Sequence, residues 1–257
     1  MSVALVTGGA KRLGREMVLT LARAGYDVAV HYHGSHEEAS QTADEARAIG
    51  VAAGTFETDL LDPDAVEKLL PDVTAQMGQV SVLINNASVF ERDDIHSATQ
   101  DSWQRHIGSN LRAPFFLTQA FARQAPKADR SGEEPVATSL VVNMVDQRVL
   151  KPTPEFITYS IAKAALWEMT RMLAQALAPD IRVNAIGPGP TLQGARQSAD
   201  EFAAQRASTI LNRGADPDDI ARTLLYLLSA KSVTGQLFCV DGGQHLAWQT
   251  PDIMGPE

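Results

Sequence analysis

Short apolar segments alternate with longer amphipathic segments along the chain. Seven of the apolar segments are brief and rich in Val, Ile and Leu, which is typical of parallel strands buried on both faces of a sheet. The predicted strands are Val3–Thr7, Asp27–His31, Ala52–Phe56, Val80–Ile84, Ser139–Asn143, Arg182–Ile186 and Gln236–Val240. The clearest predicted helices are Leu13–Ala24, His36–Ile49, Asp64–Met77, Asp101–Arg123 and Thr158–Leu177. The alternation predicts an α/β fold, a doubly wound parallel sheet of seven strands with helices on both faces.

We expect a single domain over residues 1–257. Two smaller α/β domains would need a linker near the middle, and the best candidate is the polar segment Pro126–Ala137. Because that segment joins a predicted helix to a predicted strand, we interpret it as a surface loop.

Composition limits the kinds of partner. With 22 Lys and Arg residues against 31 Asp and Glu residues the net charge is −9, which disfavours a nucleic-acid-binding surface. The single cysteine, Cys239, excludes an intramolecular disulfide and fits a reducing compartment. The first residues do not resemble a signal peptide, and no apolar stretch approaches the ~20 residues of a membrane helix. We therefore expect a cytoplasmic protein that binds neither nucleic acid nor membrane, and the histidines show no metal-ligand spacing.

The first predicted strand leads into a glycine-rich turn, Thr7 to Gly14, and then into a helix. Glycines at such a junction let the backbone approach a pyrophosphate, whose charge the helix N-terminus favours. The spacing is not G-x-G-x-x-G, so a tight turn without a ligand is the alternative. The position in the first strand–helix unit favours a dinucleotide site.

The end of the second predicted strand bears on the choice of cofactor. An NAD site normally has an acidic residue there, but the segment His31 to Ser35 has none, and Asp27 lies at the opposite end of the strand. The groups expected to face an additional phosphate are Lys11, Arg12, protonated His33 and Ser35. We therefore expect a preference for NADPH.

Tyr159 and Lys163 are spaced i, i+4 on a predicted helix, so their side chains share one face. An ammonium group beside a phenol favours the phenolate and lowers the pKa of the tyrosine towards neutral pH. A chance helical pair is the alternative reading of this spacing alone.

Together these motifs resemble the short-chain dehydrogenase/reductase family over Val3 to Gly243. The resemblance implies a Rossmann-type fold and the catalytic residues Asn110, Tyr159 and Lys163. Arg12 stands where many members carry glycine. The cofactor contacts that the resemblance and the turn imply are Gly8, Lys11, Arg12, Leu13, Gly14, Tyr32, His33, Ser35, Asp59, Leu60, Asn86, Ala87, Ser88, Tyr159, Lys163, Pro188, Gly189 and Thr191.

One departure from the family pattern concerns the substrate. Asp146 occupies the position where the family usually has serine, as in the pteridine reductase branch, which the chain also resembles in Ser88 and Phe90. That branch has arginine where this chain has Gly34, which removes one expected contact to the 2′-phosphate. The implied substrate-binding residues are Arg12, Ser88, Phe90, Asp146 and Tyr159.

The chemistry of these side chains suits a pterin, a flat heterocycle with donors and acceptors on its rim. Phe90 is expected to stack on one face of the ring, with nicotinamide on the other. Asp146 is expected to bind ring nitrogens, or to donate a proton where burial raises its pKa. The alternative for Asp146 is a turn cap with no catalytic role.

The expected reaction is hydride transfer from NADPH to a C=N bond of a dihydropterin or dihydrofolate-like ring. Lys163 holds the nicotinamide ribose and lowers the pKa of Tyr159, Tyr159 supplies the proton, Asn110 holds a water, and Asp146 orients the ring. Two alternatives stay open. One is a carbonyl or 3-oxoacyl reductase of the same family, and the other is a non-catalytic NADPH-binding regulator.

The remaining expectations concern the periphery. Residues 190–214, which include a predicted helix over Ala199–Ile210, resemble the family's substrate lid. This segment contains Arg196, Arg206 and Arg213, which either are solvated or contact an acidic substrate tail. The tail, residues 244–257 with Trp248, either reaches a neighbouring subunit or the cleft or is solvated. By resemblance, the predicted helices Asp101–Arg123 and Thr158–Leu177 pair subunits in a homotetramer or homodimer.

Overall fold

The computed structural model describes residues 2–194 and 196–248. It contains one sheet of seven parallel strands in the order β3-β2-β1-β4-β5-β6-β7. The strands are β1 Val3–Val6, β2 Asp27–Tyr32, β3 Ala53–Glu57, β4 Val80–Asn85, β5 Ser139–Met144, β6 Ile181–Pro188 and β7 Leu237–Val240. All seven predicted strands are therefore confirmed, with ends that differ by at most two residues.

Eight α-helices are described around this sheet. They are α1 Arg12–Arg23, α2 His36–Ile49, α3 Pro63–Met77, α4 Gln100–Ile107, α5 Ala113–Gln124, α6 Ile157–Leu177, α7 Ala199–Ala207 and α8 Pro217–Ser229. The prediction of a doubly wound α/β fold is confirmed.

Both faces of the sheet are buried because successive strand residues point to opposite sides. In β1, Ala4 and Val6 pack in the core beneath α1, α2 and α8, whereas Val3 and Leu5 pack in the core beneath α3, α5 and α6. A strand covered on both faces needs apolar residues at every position, which explains the short uninterrupted apolar runs of the sequence.

The position of β1 determines where a ligand can enter. β1 pairs with β2 on one side and with β4 on the other, so the strand order reverses at this point. Connections that leave β1 and β4 then run to opposite faces of the sheet, which opens a crevice beyond their carboxyl ends.

The helical predictions need three corrections. The single helix predicted over Asp101–Arg123 is wrong: α4 and α5 are separated by a π-helical segment, Gly108–Arg112. The sequence analysis also missed α8, although Asp216 and Pro217 at its start are a common N-terminal pair. The lid helix predicted over Ala199–Ile210 ends at Ala207.

The polar segment Pro126–Ala137 connects α5 to β5, as the loop interpretation predicted. Within it, Asp129 and Val136 form an antiparallel bridge through both backbone hydrogen bonds. In the part of the chain that the structure describes, no helix combines the length and apolarity needed to cross a bilayer.

Candidate active site

A cleft of about 730 Å³ lies at the carboxyl ends of the strands. Every predicted cofactor or substrate residue lines it, from the glycine-rich turn to Thr191, and Asn110 is the one predicted site residue absent from its wall. The sequence analysis missed several lining residues, which are Ala10, His31, Leu61, Val89, Arg105, Ser109, Met144, Val145 and Leu192.

The glycine-rich turn is held from two sides. The Nδ1 atom of His31 accepts a hydrogen bond from the Gly8 amide (2.9 Å), and its Nε2–H donates to the carbonyl of Thr58 (3.0 Å). Burial lowers the pKa of His31 to about 4, so this bonding needs the neutral ring. From the other side, the Asn86 amide donates to the carbonyls of Thr7 (2.8 Å) and Gly8 (3.1 Å).

The turn has room for backbone but not for side chains. A Cβ on Gly14 would lie 2.0 Å from the Gly8 carbonyl oxygen, and a Cβ on Gly189 would lie 2.6 Å from Asp241. The helix α1 carries no side-chain cap and no acidic residue in its first turn, and Arg12, Leu13 and Gly14 line the cleft. Its first backbone N–H groups are therefore available to a phosphate, which fits the pyrophosphate of a dinucleotide.

Arg12 adopts the left-handed conformation, with φ of 55°. That backbone geometry explains why glycine suits this position in related chains. The guanidinium of Arg12 donates to the carbonyl oxygens of Gln193 (3.0 Å) and Leu192 (3.3 Å). Arg12 thus connects the glycine-rich turn to the start of the predicted lid.

The groups predicted to face an additional phosphate surround the start of α2. Ser35 occupies the N-cap position with no side-chain hydrogen bond to the helix, His33 is exposed, and Lys11 lies 3.6 Å from Glu38. Gly34 has φ of +66°, a conformation that strains an arginine at that position. The backbone therefore gives a physical reason for the departure from the pteridine reductase pattern.

The catalytic candidates meet at the ends of β5 and α6. The hydroxyl of Tyr159 donates to Oδ2 of Asp146 (3.0 Å). The Nζ atom of Lys163 donates to the carbonyl of Met144 (2.6 Å) and lies 5.7 Å from the centre of the Tyr159 ring. Tyr159 and Lys163 are both almost fully buried at the base of the cleft.

The electrostatics of this group differ from the sequence-based expectation. The pKa of Tyr159 is raised well above its ordinary value, by burial first and then by the Asp146 carboxylate. The predicted lowering by Lys163 is therefore wrong for this arrangement of residues. Burial also lowers the pKa of Lys163 to about 8, whereas the pKa of Asp146 is raised by burial, as predicted.

Asp146 caps a turn, as the alternative interpretation expected, and it also contacts Tyr159; its catalytic role stays a prediction. Its Oδ1 atom accepts from the Arg148 amide (2.8 Å) and so caps the short 3₁₀ turn Gln147–Val149. Its Oδ2 atom faces Tyr159. One carboxyl oxygen fixes the side chain, and the other is directed at the Tyr159 hydroxyl.

Asn110 lies in the π-helical segment and is fully buried. Its side-chain oxygen accepts from the Val89 amide (2.9 Å), and its side-chain nitrogen donates to the Val89 carbonyl (2.8 Å). The side chain thus holds the loop that follows Asn86, and the predicted water-holding role stays a prediction.

Phe90 forms an aromatic cluster over Tyr159. Its ring stacks on Phe156 with centres 4.4 Å apart and planes 6° apart, and its edge contact to Tyr159 has centres 4.7 Å apart. Phe90 is nevertheless 45% exposed and lines the cleft, so a planar ligand can reach it. Phe156 was missed by the sequence analysis because its left-handed backbone at the start of α6 carries no sequence signal.

The three lid arginines divide into two groups. Arg206 donates to the carbonyls of Pro190 (3.1 Å) and Ala215 (2.6 Å), and both Arg206 and Arg213 pair with Asp216. Arg196 instead donates to the carbonyl of Phe90 (2.8 Å), which brings the lid against the aromatic cluster.

The C-terminal strand and tail complete the surroundings. Burial raises the pKa of the Cys239 thiol to about 11, which fits the expected packing role. After it, the 3₁₀ turn Gln244–Leu246 packs beside Gln147–Val149, and Trp248 is 63% exposed. The rest of the predicted tail, residues 249–257, lies outside the described residues. Across residues 2–194 and 196–248, no cluster of His, Cys, Asp or Glu could hold a metal ion.

Comparison with known proteins extends these observations. A family model described as enoyl-(acyl carrier protein) reductase matches residues 8–245. The 3-oxoacyl-(acyl-carrier-protein) reductase FabG of Staphylococcus aureus strain Mu50 is 32% identical over 248 residues, covering 95% of this chain and 98% of the relative. The probable galactose dehydrogenase GalD of Rhizobium meliloti strain 1021 is 32% identical over 246 residues, covering 93% of each chain.

Solved structures point to the same family. The FolM alternative dihydrofolate reductase 1 from Brucella suis, in complex with NADP, is 40% identical with a TM-score of 0.90 and 98% coverage of both chains. The corresponding protein from Brucella canis, complexed with NADP, is 38% identical with a TM-score of 0.89, covering 99% of this chain and 98% of the other. The predicted resemblance to short-chain dehydrogenases and to the pteridine reductase branch agrees with these neighbours. The chain belongs to the short-chain dehydrogenase/reductase family and is an NADP-dependent oxidoreductase.

Proposed function

We propose that the protein reduces a C=N bond of a dihydropterin-like ring, using NADPH. The observation that carries the proposal is the hydrogen bond of Asp146 to Tyr159 directly beside the exposed ring of Phe90. A carboxyl group there can bind the ring nitrogens of a pterin, and an accessible aromatic face can stack on the flat heterocycle. The solved FolM neighbours, named as alternative dihydrofolate reductases, support the same substrate class.

The cofactor supplies the hydride, and the protein's own residues supply the proton and the geometry. Lys163, buried behind Tyr159, is placed to hold the nicotinamide ribose, while the glycine-rich turn and Asn86, Pro188, Gly189 and Thr191 line the remainder of the cofactor's path. Asp59 and Leu60 also line the cleft, and we assign them to the adenine of the cofactor. We propose a preference for NADPH over NADH for two reasons. The end of β2 has no acidic residue, and Lys11, His33 and Ser35 surround the start of α2.

Proton supply depends on the charge that develops on the substrate. The raised pKa keeps Tyr159 protonated at pH 7 and makes it a weaker acid, so it is the negative charge that hydride transfer places on the substrate nitrogen that draws the proton from Tyr159. Tyr159 and Asp146 share one hydrogen bond and the single proton in it, so a proton that Tyr159 gives to the substrate nitrogen is replaced from solvent water. The carbon of the C=N bond takes the hydride and the nitrogen takes this proton, which balances the reduction.

A second candidate is reduction of a ketone such as a 3-oxoacyl group. It is favoured by the curated relatives, among them FabG at 32% identity, and by the match to an acyl-carrier-protein reductase model. A ketone oxygen needs one hydroxyl donor, which Tyr159 can supply without Asp146.

Steady-state kinetics with dihydrobiopterin and with an acetoacetyl thioester separate the two candidates. We expect the wild-type protein to have the higher kcat/KM with dihydrobiopterin. In Asp146→Ser, that value falls about a hundredfold or more because the carboxyl group is lost, while ketone reduction increases. The exposed loop residue Asp129 provides the matched control, Asp129→Ser, with unchanged kinetics. A wild-type preference for the thioester, or full pterin activity in Asp146→Ser, contradicts the proposal.

We further propose a single domain, cytoplasmic location, and a homotetramer or homodimer with no nucleic-acid or membrane partner. Support for assembly comes from large apolar side chains exposed on the helices that the family resemblance assigns to subunit pairing. These are Trp103, Phe115, Phe116, Ile161 and Met172. Sedimentation equilibrium measures the assembly directly, and a monomer at micromolar concentration contradicts this part of the proposal.

A further inference from the structure

Three polar residues outside every predicted motif are buried next to the catalytic group. Asp93, His106 and Thr158 are 4%, 0% and 4% exposed. Thr158 immediately precedes Tyr159 on α6, His106 lies on α4, and Asp93 lies on the loop between β4 and α4. Buried polar groups are costly unless they are hydrogen-bonded, so their partners are informative.

The three side chains form one continuous chain of hydrogen bonds. The Nε2 atom of His106 accepts from the Glu91 amide (3.1 Å), which leaves the proton of the neutral ring on Nδ1. That Nδ1–H donates to Oγ1 of Thr158 (2.7 Å), and the Thr158 hydroxyl in turn donates to Oδ2 of Asp93. In this series of hydrogen bonds, Nε2 of His106 must accept and Nδ1 must donate. The hydrogen bonds therefore specify the tautomer of His106 with its proton on Nδ1.

The two ends of this series of hydrogen bonds hold the two parts of the substrate site, the start of α6 and the loop that contains Phe90. At one end, Asp93 holds the start of α6, where its carboxylate accepts from the Thr158 amide (3.3 Å) and its carbonyl accepts from the Phe156 amide (2.7 Å). At the other end, His106 holds Glu91, the residue after Phe90, while Asn110 holds Val89, the residue before it. Residues on α4 and the π-helical segment thus hold the backbone on both sides of Phe90, whose ring also stacks on Phe156.

We propose that Asp93, Thr158 and His106 form a positioning network that holds Tyr159 and the Phe90 loop in their reactive relationship. None of the three needs to touch the substrate. The network acts by fixing the edge contact between Phe90 and Tyr159, whose centres lie 4.7 Å apart. The network preorganises the substrate site, because Phe90 and Tyr159 are already in place before the substrate binds. The consequence for the substrate rests on the function proposed above, whereas the network itself does not.

The network also responds to pH. The charged or titratable groups around His106 are Asp93, Glu91, Arg105 and the phenol of Tyr159, whose ring centre is 6.0 Å from that of His106. Burial lowers the pKa of His106 despite the two carboxylates, so the neutral ring is the stable form at neutral pH. A protonated ring has no acceptor for the Glu91 amide, so acidification releases the Phe90 loop.

The test removes one hydroxyl and keeps the shape of the side chain. In Thr158→Val we expect kcat/KM to fall about tenfold, a loss of about 1.4 kcal/mol in transition-state stabilisation, with most of the change in KM and with NADPH affinity unchanged within about twofold. Thr158→Ser keeps the hydroxyl and restores the wild-type values. Thr170→Val is the matched control, because Thr170 is a buried threonine of the same helix whose hydroxyl accepts from Asn143 (2.9 Å). We expect Thr170→Val to lower the free energy of unfolding about as much as Thr158→Val does, but to leave KM unchanged.

A second variant covers the case in which Thr158→Val does not fold. In His106→Asn the decline of kcat/KM on acidification is reduced relative to wild type, because no ring is left to protonate. NMR of ¹³C-labelled histidine, with His106 identified by this variant, gives a readout without turnover: the ring is neutral, with its proton on Nδ1, at pH 7.

The outcomes separate this inference from the proposed function. If the protein prefers the thioester but Thr158→Val still raises KM and the NMR tautomer is as expected, the network stands and the pterin proposal falls. If Thr158→Val behaves as Thr170→Val with either substrate, or if His106 carries its proton on Nε2, the network is overturned.

Discussion

The two ends of the cleft are built in different ways. At the cofactor end, the glycine-rich turn is held mainly by bonds to its own backbone, from His31 on β2 and Asn86 after β4. At the substrate end, Phe90, Tyr159 and Asp146 are held largely by side-chain bonds between loops, α4 and α6. Both ends therefore depend on residues distant in sequence, but only the cofactor end also contains a short motif, Thr7 to Gly14, that sequence analysis can recognise.

The largest effect is expected for Tyr159→Phe, which removes the proposed proton donor and its hydrogen bond to Asp146 while keeping the aromatic ring. We expect kcat to fall by about a thousandfold or more, because the Tyr159 hydroxyl is the one phenol in the cleft bonded to Asp146. Fluorescence titration should find NADPH binding unchanged within about twofold. The exposed Tyr226 gives the control Tyr226→Phe, with wild-type turnover, and near-normal kcat in Tyr159→Phe would refute the proton role.

At the cofactor end, Gly14→Ala is expected to act on binding rather than on chemistry. The added Cβ would lie 2.0 Å from the Gly8 carbonyl oxygen and 2.8 Å from the Asn86 amide nitrogen, so the turn must move. We expect the Kd for NADPH to rise about a hundredfold, as measured by fluorescence titration. Gly132→Ala is the control. A Cβ on Gly132 would lie 4.0 Å from its nearest neighbouring atom, so the affinity of this variant for NADPH should not change. Wild-type affinity in Gly14→Ala would show that the turn does not bind the pyrophosphate.

A third effect, on folding stability rather than on activity or binding, concerns His31 at the cofactor end. The folded state lowers the pKa of His31 from 6.5 to about 4, so between these values the unfolded chain binds a proton that the folded chain excludes. The free energy of unfolding should therefore decrease as the pH falls from 6.5 to 4, with His31 contributing about 3 kcal/mol. Urea unfolding at a series of pH values measures the free energy of unfolding. His31→Gln should lose the His31 contribution to its pH dependence, whereas His96→Gln, a change at an exposed residue, should keep it. Parallel pH curves for wild type and His31→Gln would refute the role of the neutral ring.

The elements and motifs that sequence analysis recovered have local causes. A strand buried on both faces must be continuously apolar, so all seven strands were visible, and the turn from Thr7 to Gly14 was visible because close backbone contact needs glycine. Tyr159 and Lys163 were identified by the family resemblance, and their helical spacing placed them on one face of the helix. These features depend on residues within a few positions of one another.

The features that were missed depend on contacts across the chain. The raised pKa of Tyr159 comes from burial and from Asp146 on another element, whereas the sequence analysis weighed only Lys163. The stacking of Phe156 on Phe90 and the position of His106 require the loop after β4 to fold against α4 and α6. The single helix predicted over Asp101–Arg123 also missed the π-helical segment between α4 and α5, because the apolar positions on both sides were assigned to one helix without the one-residue shift that a π-turn introduces.

The π-helical segment Gly108–Arg112 has a consequence for insertions and deletions. A π-turn contains one more residue than an α-turn, so deleting one residue there would restore an uninterrupted α-helix. The following helix would then turn by about 100° relative to α4, because an α-helix has 3.6 residues per turn. Leu117 and Phe121 would leave the core beneath the sheet. Natural variants of this chain should therefore differ in length in its exposed loops and keep a constant number of residues between Thr99 and Gln124.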